Sequence, residues 1–299
     1  MDFTGKSIVV TGASSGIGEA AANLLAQKGG RVFALSRRAQ TGRRHETGAG
    51  AVIEVKCDVT DDSSVENAFE YIFSAADRIY GLINCAGTGI AGAVEETSPE
   101  ELDGQMECNL YGALRTVRGV LGRMREQGEG RIVNMGSVGG VFGLPFQGMY
   151  SASKFALEGM TEALRNEVRP FGIKVCLIEP GDVHTGFTHN RRYTLETRES
   201  KVYRREFCSA VNAMSVSEQR GMPPVKAAGL AVKALSMKNP PVRMVAGGGY
   251  KALCFIKRLL PDRLISWILY RMYCTNKRLS SDVWDFERDV LGRICSSPG

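Results

Sequence analysis

The segment that most constrains the fold is a glycine-rich turn between a short strand and a helix, near the start of the chain. The β-branched run at 7–11 is typical of a buried parallel strand, and the alanine-rich run at 19–28 is typical of a helix. The residues that join them read Gly12-Ala13-Ser14-Ser15-Gly16-Ile17-Gly18. Because a helix N-terminus presents free N–H groups and a partial positive charge, this context predicts a phosphate-binding site.

Each glycine of this turn has its own predicted role. Gly12 permits a tight turn, Gly16 lets the backbone approach a pyrophosphate, and Gly18 lets the helix pack on the strand. The predicted cofactor contacts also include the residues between the glycines, which are Ser14, Ser15 and Ile17.

Strand and helix patterns alternate along the rest of the chain. Further strands are predicted at 31–36, 51–55, 80–85, 131–135, 173–179 and 242–245, and helices at 61–78, 102–127 and 150–168. Repeated βαβ units predict a Rossmann-type, doubly wound α/β fold, with a mainly parallel seven-stranded sheet and helices on both faces. Ligands of such a sheet bind beyond the carboxyl ends of its strands.

We expect one domain at 1–250, which includes a substrate lid at about 186–222, and a C-terminal helical extension at 251–299 packed on it. Pro261 divides the apolar and basic tail into two short helices. A basic amphipathic helix can pack on its own domain, on a partner subunit or on a membrane surface, and the sequence leaves these alternatives open.

Composition restricts the function. The net charge is +6, but the basic residues are dispersed among acids, which argues against a nucleic-acid partner. The eight cysteines form no CxxC pair and suggest reduced thiols of a cytoplasmic protein. The three histidines lack a metal-ligand spacing, so we expect no metal site. We expect no secretory signal and no spanning helix, although peripheral membrane contact is possible.

A tyrosine and a lysine four residues apart, Tyr150 and Lys154, indicate proton chemistry. Positions i and i+4 share a helix face, and a nearby ammonium is expected to lower the pKa of a phenol from about 10. Such a phenol can give a proton to a carbonyl oxygen or take one from an alcohol. This pair alone is common by chance, so the inference depends on the rest of the chain.

The TGxxxGxG turn, the segment Asn84-Cys85-Ala86-Gly87 and the set Ser137, Tyr150 and Lys154 together resemble the short-chain dehydrogenase/reductase superfamily. The resemblance covers about residues 5–250. The segment after Pro180-Gly181 and the tail are similar to the 17β-hydroxysteroid and retinol dehydrogenase-like branch.

The resemblance implies catalytic roles for four residues. Ser137 orients the substrate oxygen, and Tyr150 exchanges a proton with it. Lys154 lowers the Tyr150 pKa and binds the nicotinamide ribose. Asn109 holds a water that connects Lys154 to solvent, although a mid-helix asparagine can also be an ordinary polar residue.

The end of the second predicted strand indicates the cofactor. An acidic residue here would select NAD, but the chain has Ser36, Arg37 and Arg38. Arginine binds phosphate by bidentate hydrogen bonds, so we expect NADP(H) in preference to NAD(H), with Arg37 as the principal phosphate contact. A solvated basic loop is the alternative.

The resemblance implies further cofactor contacts. Asp58 and Val59 contact the adenine, unless Asp58 is a helix cap; Asn84, Ala86 and Gly87 line the cofactor. In the segment after the sixth strand, Pro180, Gly181, Val183 and Thr185 contact the nicotinamide carboxamide. His184 is not expected to be catalytic, because Tyr150 and Lys154 already supply that chemistry.

The predicted function is therefore hydride transfer between a nicotinamide and a carbonyl or secondary alcohol. The resemblance suggests a lipophilic substrate, such as a steroid, retinoid or acyl-like ketone, and a homodimer or homotetramer assembled through the helices at 102–127 and 150–168. The alternatives are a non-catalytic NADP(H)-binding regulatory protein and a membrane-surface scaffold. A catalytic proton relay argues against the regulatory alternative.

Overall fold

A computed structural model describes residues 1–275, and an eight-stranded sheet forms its centre. The strands β1 to β10 are Ser7–Thr11, Arg31–Ser36, Arg44–Thr47, Gly50–Lys56, Gly81–Asn84, Ile90–Ala91, Gly130–Met135, Ile173–Pro180, Arg192–Tyr193 and Arg243–Ala246. The α-helices α1 to α10 are Gly16–Gln27, Asp62–Ala75, Pro99–Met106, Gly112–Gln127, Gly148–Glu167, Leu195–Glu199, Arg204–Gln219, Pro224–Ser236, Gly248–Lys257 and Asp262–Tyr273.

The sheet confirms the predicted doubly wound fold and adds one strand. Its order is β10-β8-β7-β5-β1-β2-β4-β3, and every neighbouring pair is parallel except β3 with β4. The seven expected strands are present. The eighth, β3, is an antiparallel edge strand whose sequence Arg-His-Glu-Thr is mostly exposed. It lacks the apolar pattern by which a strand is recognised in sequence.

The chain reverses its direction across the sheet next to β1. From β1 it passes to β2 and β4 on one side, and then returns to β5 on the other side. Adjacent loops therefore diverge between the carboxyl ends of β1 and β5, which is the position where open α/β sheets bind ligands.

Two cores cover the two faces of the sheet. On one face α1 and α8 pack through small residues, among them Ala21, Ala22 and Ala231. On the other face α2, α4 and α5 pack through larger residues, including Phe69, Ile72 and Val120. Burial of these apolar surfaces is the main stabilising term of the fold.

The helix predicted at 102–127 is interrupted. It begins at Pro99 with a capping box, in which Ser98 and Glu101 bond each other's backbone N–H groups at 3.2 and 3.0 Å. A π-helical turn at Glu107–Tyr111 then separates α3 from α4. Asp61 is the N-cap of α2, because its carboxylate accepts the Ser64 N–H at 3.3 Å.

The predicted lid at 186–222 contains β9, α6 and α7. Strand β9 pairs with β6 in a separate two-stranded sheet. On α7 the side chains of Phe207, Val211 and Met214 are buried. Phe207 and Val211 pack with Ala91 in a small apolar cluster, as the buried face of an amphipathic helix does. None of the helices in residues 1–275 is both long and apolar enough to cross a membrane.

A buried polar network joins the sheet to the helices beneath the carboxyl edge. The Asn84 amide donates to Asn134 Oδ1 at 3.0 Å, and the Asn134 amide donates to Thr161 Oγ1 at 2.9 Å. The Thr116 hydroxyl donates to Asn84 Oδ1 at 2.7 Å. These bonds connect β5 and β7 with α4 and α5, so they hold the floor of the site in place.

Replacement of Asn134 by alanine should therefore destabilise the protein. The amide of Asn84 would lose its shorter acceptor in the interior, and the expected loss in the free energy of unfolding is about 2–4 kcal/mol. Urea denaturation would measure it. Asn166→Ala, at an exposed position of α5, is the matched control and should change stability by less than about 0.5 kcal/mol. Equal losses in both variants would contradict the assigned role of the network.

Candidate active site

The glycine turn packs closely against its neighbours. Gly12 and Gly16 have φ angles of +64° and +60°, in the left-handed region that favours glycine. A Cβ atom on Gly12 would lie 2.8 Å from the Ala86 nitrogen, and a Cβ atom on Gly18 would lie 2.4 Å from the Gly12 oxygen. The predicted roles of Gly12 in turning the chain and of Gly18 in packing the helix are therefore visible in the geometry.

The end of β1 is tied to the end of β5. The buried hydroxyl of Thr11 accepts the N–H groups of Cys85 and Ala86, each at 3.1 Å. The Asn84-Cys85-Ala86-Gly87 segment therefore lies directly beside the glycine turn, as its predicted role requires.

Ser14, Ser15 and Ile17 belong to the beginning of α1. Both serines are exposed, and the Ser15 side chain makes no capping hydrogen bond although it occupies the N-cap position. The first helical N–H groups have no acceptor within a helix. These donors face the region where a phosphate is predicted.

The residues after β2 lie beside Asp58. Ser36 ends the strand, and Arg37 and Arg38 follow it with exposed side chains. Burial acts to raise the pKa of the Asp58 carboxyl, but hydrogen bonds from Thr60 and the charge of Arg37 hold that pKa below its usual value. Arg37 is thus within electrostatic reach of Asp58.

Asp58 does not cap α2, since Asp61 does so. The Asp58 carboxylate accepts the N–H and the hydroxyl of Thr60 at 3.0 and 2.8 Å, which closes a local turn. Its neighbour Val59 is buried and lies against Gly112, where a Cβ atom would be 2.8 Å from Val59 Cγ2.

Ser137 and Tyr150 meet at the end of β7. The Ser137 hydroxyl is near enough to Tyr150 to lower its pKa, and Ser137 Oγ accepts the Gly139 N–H at 3.0 Å. Tyr150 is only 9% exposed, and this burial raises its pKa to about 12 against the opposing effect of the Ser137 hydrogen bond. The expectation of a pKa below 10 is wrong for this arrangement, because loss of hydration outweighs nearby positive charge.

Lys154 is buried one helical turn beyond Tyr150. Its Nζ donates to the Met135 carbonyl at 2.9 Å and lies 5.9 Å from the centroid of the Tyr150 ring. Burial lowers the pKa of Lys154 to about 8, with a small opposing effect from Cys108 and Cys85. An ammonium with this pKa can release and regain a proton near neutral pH.

Asn109 lies in the π-helical turn and is fully enclosed. Its Oδ1 accepts the Thr88 N–H at 2.9 Å, and its Nδ2 donates to the Thr88 carbonyl and to Ser153 Oγ, each at 3.0 Å. A Cβ atom on Gly87 would be 3.3 Å from Asn109 Oδ1 and 3.7 Å from Lys154 Nζ. Gly87 therefore leaves open the space between these two polar side chains.

Asn84 occupies a different environment from the one its predicted role implies. It is 5% exposed, and its amide is committed to Asn134, Thr116 and the Ala113 carbonyl. In this geometry its side chain supports the site from below.

The segment after β8 closes over the glycine turn. Pro180 ends the strand, and Val183 forms an isolated bridge with Met222. A Cβ atom on Gly16 would be 3.3 Å from Thr185 Cγ2, so Thr185 faces the turn. Gly181 instead lies under the Tyr250 ring, where a Cβ atom would be 2.0 Å from Cδ2. His184 is exposed.

Phe187 covers Tyr150. The Phe187 ring centroid lies 5.5 Å from that of Tyr150. The Arg191 guanidinium carbon lies 5.8 Å from the Phe187 ring centroid. The Arg191 side chain is fully buried and forms an ion pair with Glu218, whose other oxygen accepts the Thr188 hydroxyl at 2.6 Å. All three residues belong to the lid at 186–222, so this pair joins the segment before β9 to α7 within the lid.

Sequence reasoning missed these lid contacts. It gave no role to Arg191 with Glu218, or to Thr88 with Ser153. The residues of each pair are far apart in the chain, and neither pair has a motif, so no sequence signal could have found them.

The arrangement fits a dinucleotide with a nicotinamide ring. Gly12 and Gly16 add no side chains to the turn, the Ser15 hydroxyl has no capping role, and Gly87 keeps space beside Lys154. Arg37 and Arg38 are exposed at the end where an adenosine ribose would bind.

Comparisons with known proteins identify the family. Residues 6–196 match the family profile described as short chain dehydrogenase. A 3-ketodihydrosphingosine reductase from Bacteroides thetaiotaomicron is 40% identical over 267 residues, which cover 89% of this chain and 97% of that protein. Human 17-beta-hydroxysteroid dehydrogenase type 1 is 32% identical and covers 96% of this chain and 86% of that protein.

Solved structures agree with this assignment. The crystal structure of a short-chain dehydrogenase from Streptomyces avermitilis has a TM-score of 0.76 at 30% identity, and covers 91% of this chain and 97% of that one. The chain belongs to the short-chain dehydrogenase family. It is an oxidoreductase that acts on CH–OH and C=O groups, and its family uses a nicotinamide cofactor.

The burial of Lys154 predicts a specific pH dependence of stability. Folding lowers the pKa of Lys154 from 10.5 to about 8. Below pH 8 the buried side chain is charged, and its burial destabilises the folded state to the full extent. This destabilisation disappears as the pH rises to 10.5. The stability advantage of Lys154→Met over the wild type should therefore decline across this interval.

Urea denaturation at several pH values between these limits would measure the difference. Lys233→Met, at an exposed position of α8, is the control and should show no such trend. A difference between Lys154→Met and the wild type that is independent of pH would contradict the lowered pKa.

Proposed function

We propose that the protein is an NADP(H)-dependent oxidoreductase that interconverts a lipophilic ketone and its secondary alcohol. The observation that carries this proposal is the convergence of Ser137, Tyr150 and Lys154 at the end of β7, beside the glycine turn. Hydrogen bonding, burial and position support a single proton-transfer site there.

Ser137 and Tyr150 form the part of the site that holds the substrate oxygen. Both hydroxyl groups lie at this point of the site, and each can donate its proton to one carbonyl oxygen placed between them. With a pKa of about 12, Tyr150 is protonated at neutral pH and suited to protonate the forming alkoxide. The bound nicotinamide supplies the hydride.

Lys154 and Asn109 support resupply of that proton. The Lys154 pKa of about 8 suits exchange near neutral pH, and its Nζ–Met135 hydrogen bond fixes the side chain. Asn109 fixes Thr88 and Ser153 next to the open space at Gly87. We propose that a proton path leads through this space, and that Lys154 also binds the nicotinamide ribose.

Removal of the Tyr150 hydroxyl tests the catalytic role. Tyr150→Phe should reduce kcat/KM for ketone reduction by about 10²–10⁴-fold, because general acid catalysis is lost while the packing against Phe187 is kept. NADPH oxidation, followed by absorbance, gives the rate. Tyr71→Phe on α2 is the control and should retain wild-type turnover. Near-wild-type reduction by Tyr150→Phe would exclude the proposed acid.

The preference for NADP(H) is supported by the residues after β2. No carboxylate ends this strand, and the exposed Arg37 and Arg38 can approach a 2′-phosphate. Ser14 in the glycine turn is an additional exposed hydroxyl donor. Asp58, Val59, Ala86, Pro180, Gly181, Val183 and Thr185 remain our proposed contacts for the rest of the cofactor.

Substitution at this position should reverse the preference. Ser36→Asp with Arg37→Ala removes a phosphate partner and adds an acceptor for the ribose, so the ratio of kcat/KM for NADPH to that for NADH should fall by at least about tenfold. Arg44→Ala on the nearby edge strand is the control, since Arg44 is ion-paired with Glu46. An unchanged ratio in the double variant would contradict the assigned phosphate contact.

A lipophilic substrate is supported by the site and by the relatives. Phe187 lies over Tyr150, so the substrate side of the site is aromatic. Relatives are named for a ketodihydrosphingosine and for hydroxysteroids. A panel of long-chain keto-amines, steroids, retinoids, acyl ketones and small aromatic ketones, assayed with NADPH, would define the substrate class.

We also propose a homodimer or homotetramer assembled through α4 and α5. Leu114 on α4 and Phe155 on α5 are apolar and exposed, at 39% and 44%. Light scattering of the purified protein would give the oligomeric state.

The free thiols at 57, 85, 108, 176, 208, 254 and 274 fit a reducing compartment such as the cytoplasm.

A further inference from the structure

The two C-terminal helices present an apolar surface that the catalytic site does not use. Phe255 and Ile256 near the end of α9 and Leu259 in the turn after it are exposed apolar side chains, with Phe255 and Leu259 exposed by 63% and 68%. Further exposed apolar side chains on α10 are Leu264, Trp267, Tyr270 and Met272. We call these seven residues the C-terminal patch. Concentrated exposure of this kind indicates an interaction surface.

The patch is held in a fixed orientation. The opposite faces of α9 and α10 enter one apolar cluster with Val138 and Phe142, through Leu253, Cys254, Leu260, Ile265 and Leu269. Lys257 Nζ donates to the Val141 carbonyl, and Ser209 Oγ on α7 donates to the Tyr273 carbonyl at 2.9 Å. Because both helices share this buried cluster, their apolar exposed faces both point away from the domain.

The charge around the patch has one predominant sign. Exposed basic side chains flank it at Lys251, Arg258, Arg263 and Arg271, and Asp262 is the single acid among residues 248–275. Lys251 and Arg263 form no ion pair with any carboxylate in the described part of the chain. The Arg271 guanidinium lies 5.7 Å from the Trp267 ring centroid. This surface is complementary to negative charge.

The composition favours a lipid surface over a second copy of the chain. A symmetric dimer through the patch would bring the same basic residues of both copies together, which is electrostatically unfavourable. Apolar side chains with Trp, Tyr, Lys and Arg at their edge are instead the composition of helices that lie in a membrane interface.

We propose that the C-terminal patch binds peripherally to an anionic lipid bilayer. Phe255, Leu259 and Trp267 enter the boundary between headgroups and acyl chains, while Lys251 and Arg263 contact lipid phosphates. Helix α10, which carries part of the patch, contacts α7 of the lid. A protein bound through the patch therefore holds its lid near the bilayer. The proposal stands on this surface and does not depend on the cofactor or substrate proposed above.

Co-sedimentation of the purified full chain with vesicles tests the charge contribution. Vesicles of equimolar phosphatidylcholine and phosphatidylglycerol should bind the protein, and phosphatidylcholine alone should bind it at least about tenfold more weakly. Lys251→Glu with Arg263→Glu should lower binding to the mixed vesicles by at least about tenfold. The control is Lys28→Glu with Lys226→Glu, which makes an equal charge change at exposed sites outside the C-terminal patch. This control should bind like the wild type.

The apolar contribution needs a separate readout. Phe255→Ser with Leu259→Ser should abolish binding, whereas Val225→Ser, at an exposed position of α8, should not. The chain has two tryptophans, so in Trp284→Phe the indole of Trp267 is the single reporter. Its fluorescence should shift to the blue when mixed vesicles are added, which a purely electrostatic contact would not produce.

Three results would overturn the proposal. The wild type could remain in the supernatant with mixed vesicles, or the charge-reversed and serine variants could bind as it does. Size-exclusion chromatography could instead show that Phe255→Ser with Leu259→Ser dissociates an oligomer without any vesicle binding, which would make the patch a subunit interface. Turnover of a water-soluble ketone by each variant would verify that the catalytic domain is folded.

Discussion

The rest of the structure depends on the close approach of two chain segments at the centre of the sheet. The Thr11 hydroxyl binds the N–H groups of Cys85 and Ala86, and the absence of a side chain at Gly12 allows the backbones to meet. This contact lies where the chain reverses direction across the sheet. It places the glycine turn beside Gly87 and Lys154, so the fold and the geometry of the site have a common physical origin.

Burial in this protein determines the chemistry of individual groups as well as stability. Enclosure raises the pKa of Tyr150 and lowers that of Lys154, so the phenol stays protonated and the ammonium becomes able to exchange a proton. Beneath them the network through Asn134 satisfies polar groups that would otherwise be unpaired in the interior. The site is therefore a rigid, weakly hydrated floor over which the segment with Phe187 can close.

The molecule has two further regions next to this floor, with different physical characters. Within the lid, the buried ion pair of Arg191 with Glu218 joins the segment before β9 to α7, and the Phe187 ring lies against Tyr150. The tail helices are fastened by apolar packing against Phe142 and leave their other faces exposed. Because α7 contacts α10, the lid and the tail form one continuous structure over the carboxyl edge of the sheet.

The sequence by itself determined the fold class, seven of the eight strands and the glycine turn, and it predicted the set of Asn109, Ser137, Tyr150 and Lys154, because local periodicity and motif spacing carry that information. Only the tertiary structure decided the edge strand at Arg44–Thr47, the π-helical turn around Asn109, the inward position of Asn84 and the raised Tyr150 pKa. Each depends on which groups surround a residue in space. Burial and pairing between segments distant in the chain set hydration and hydrogen bonding, and no local pattern records them.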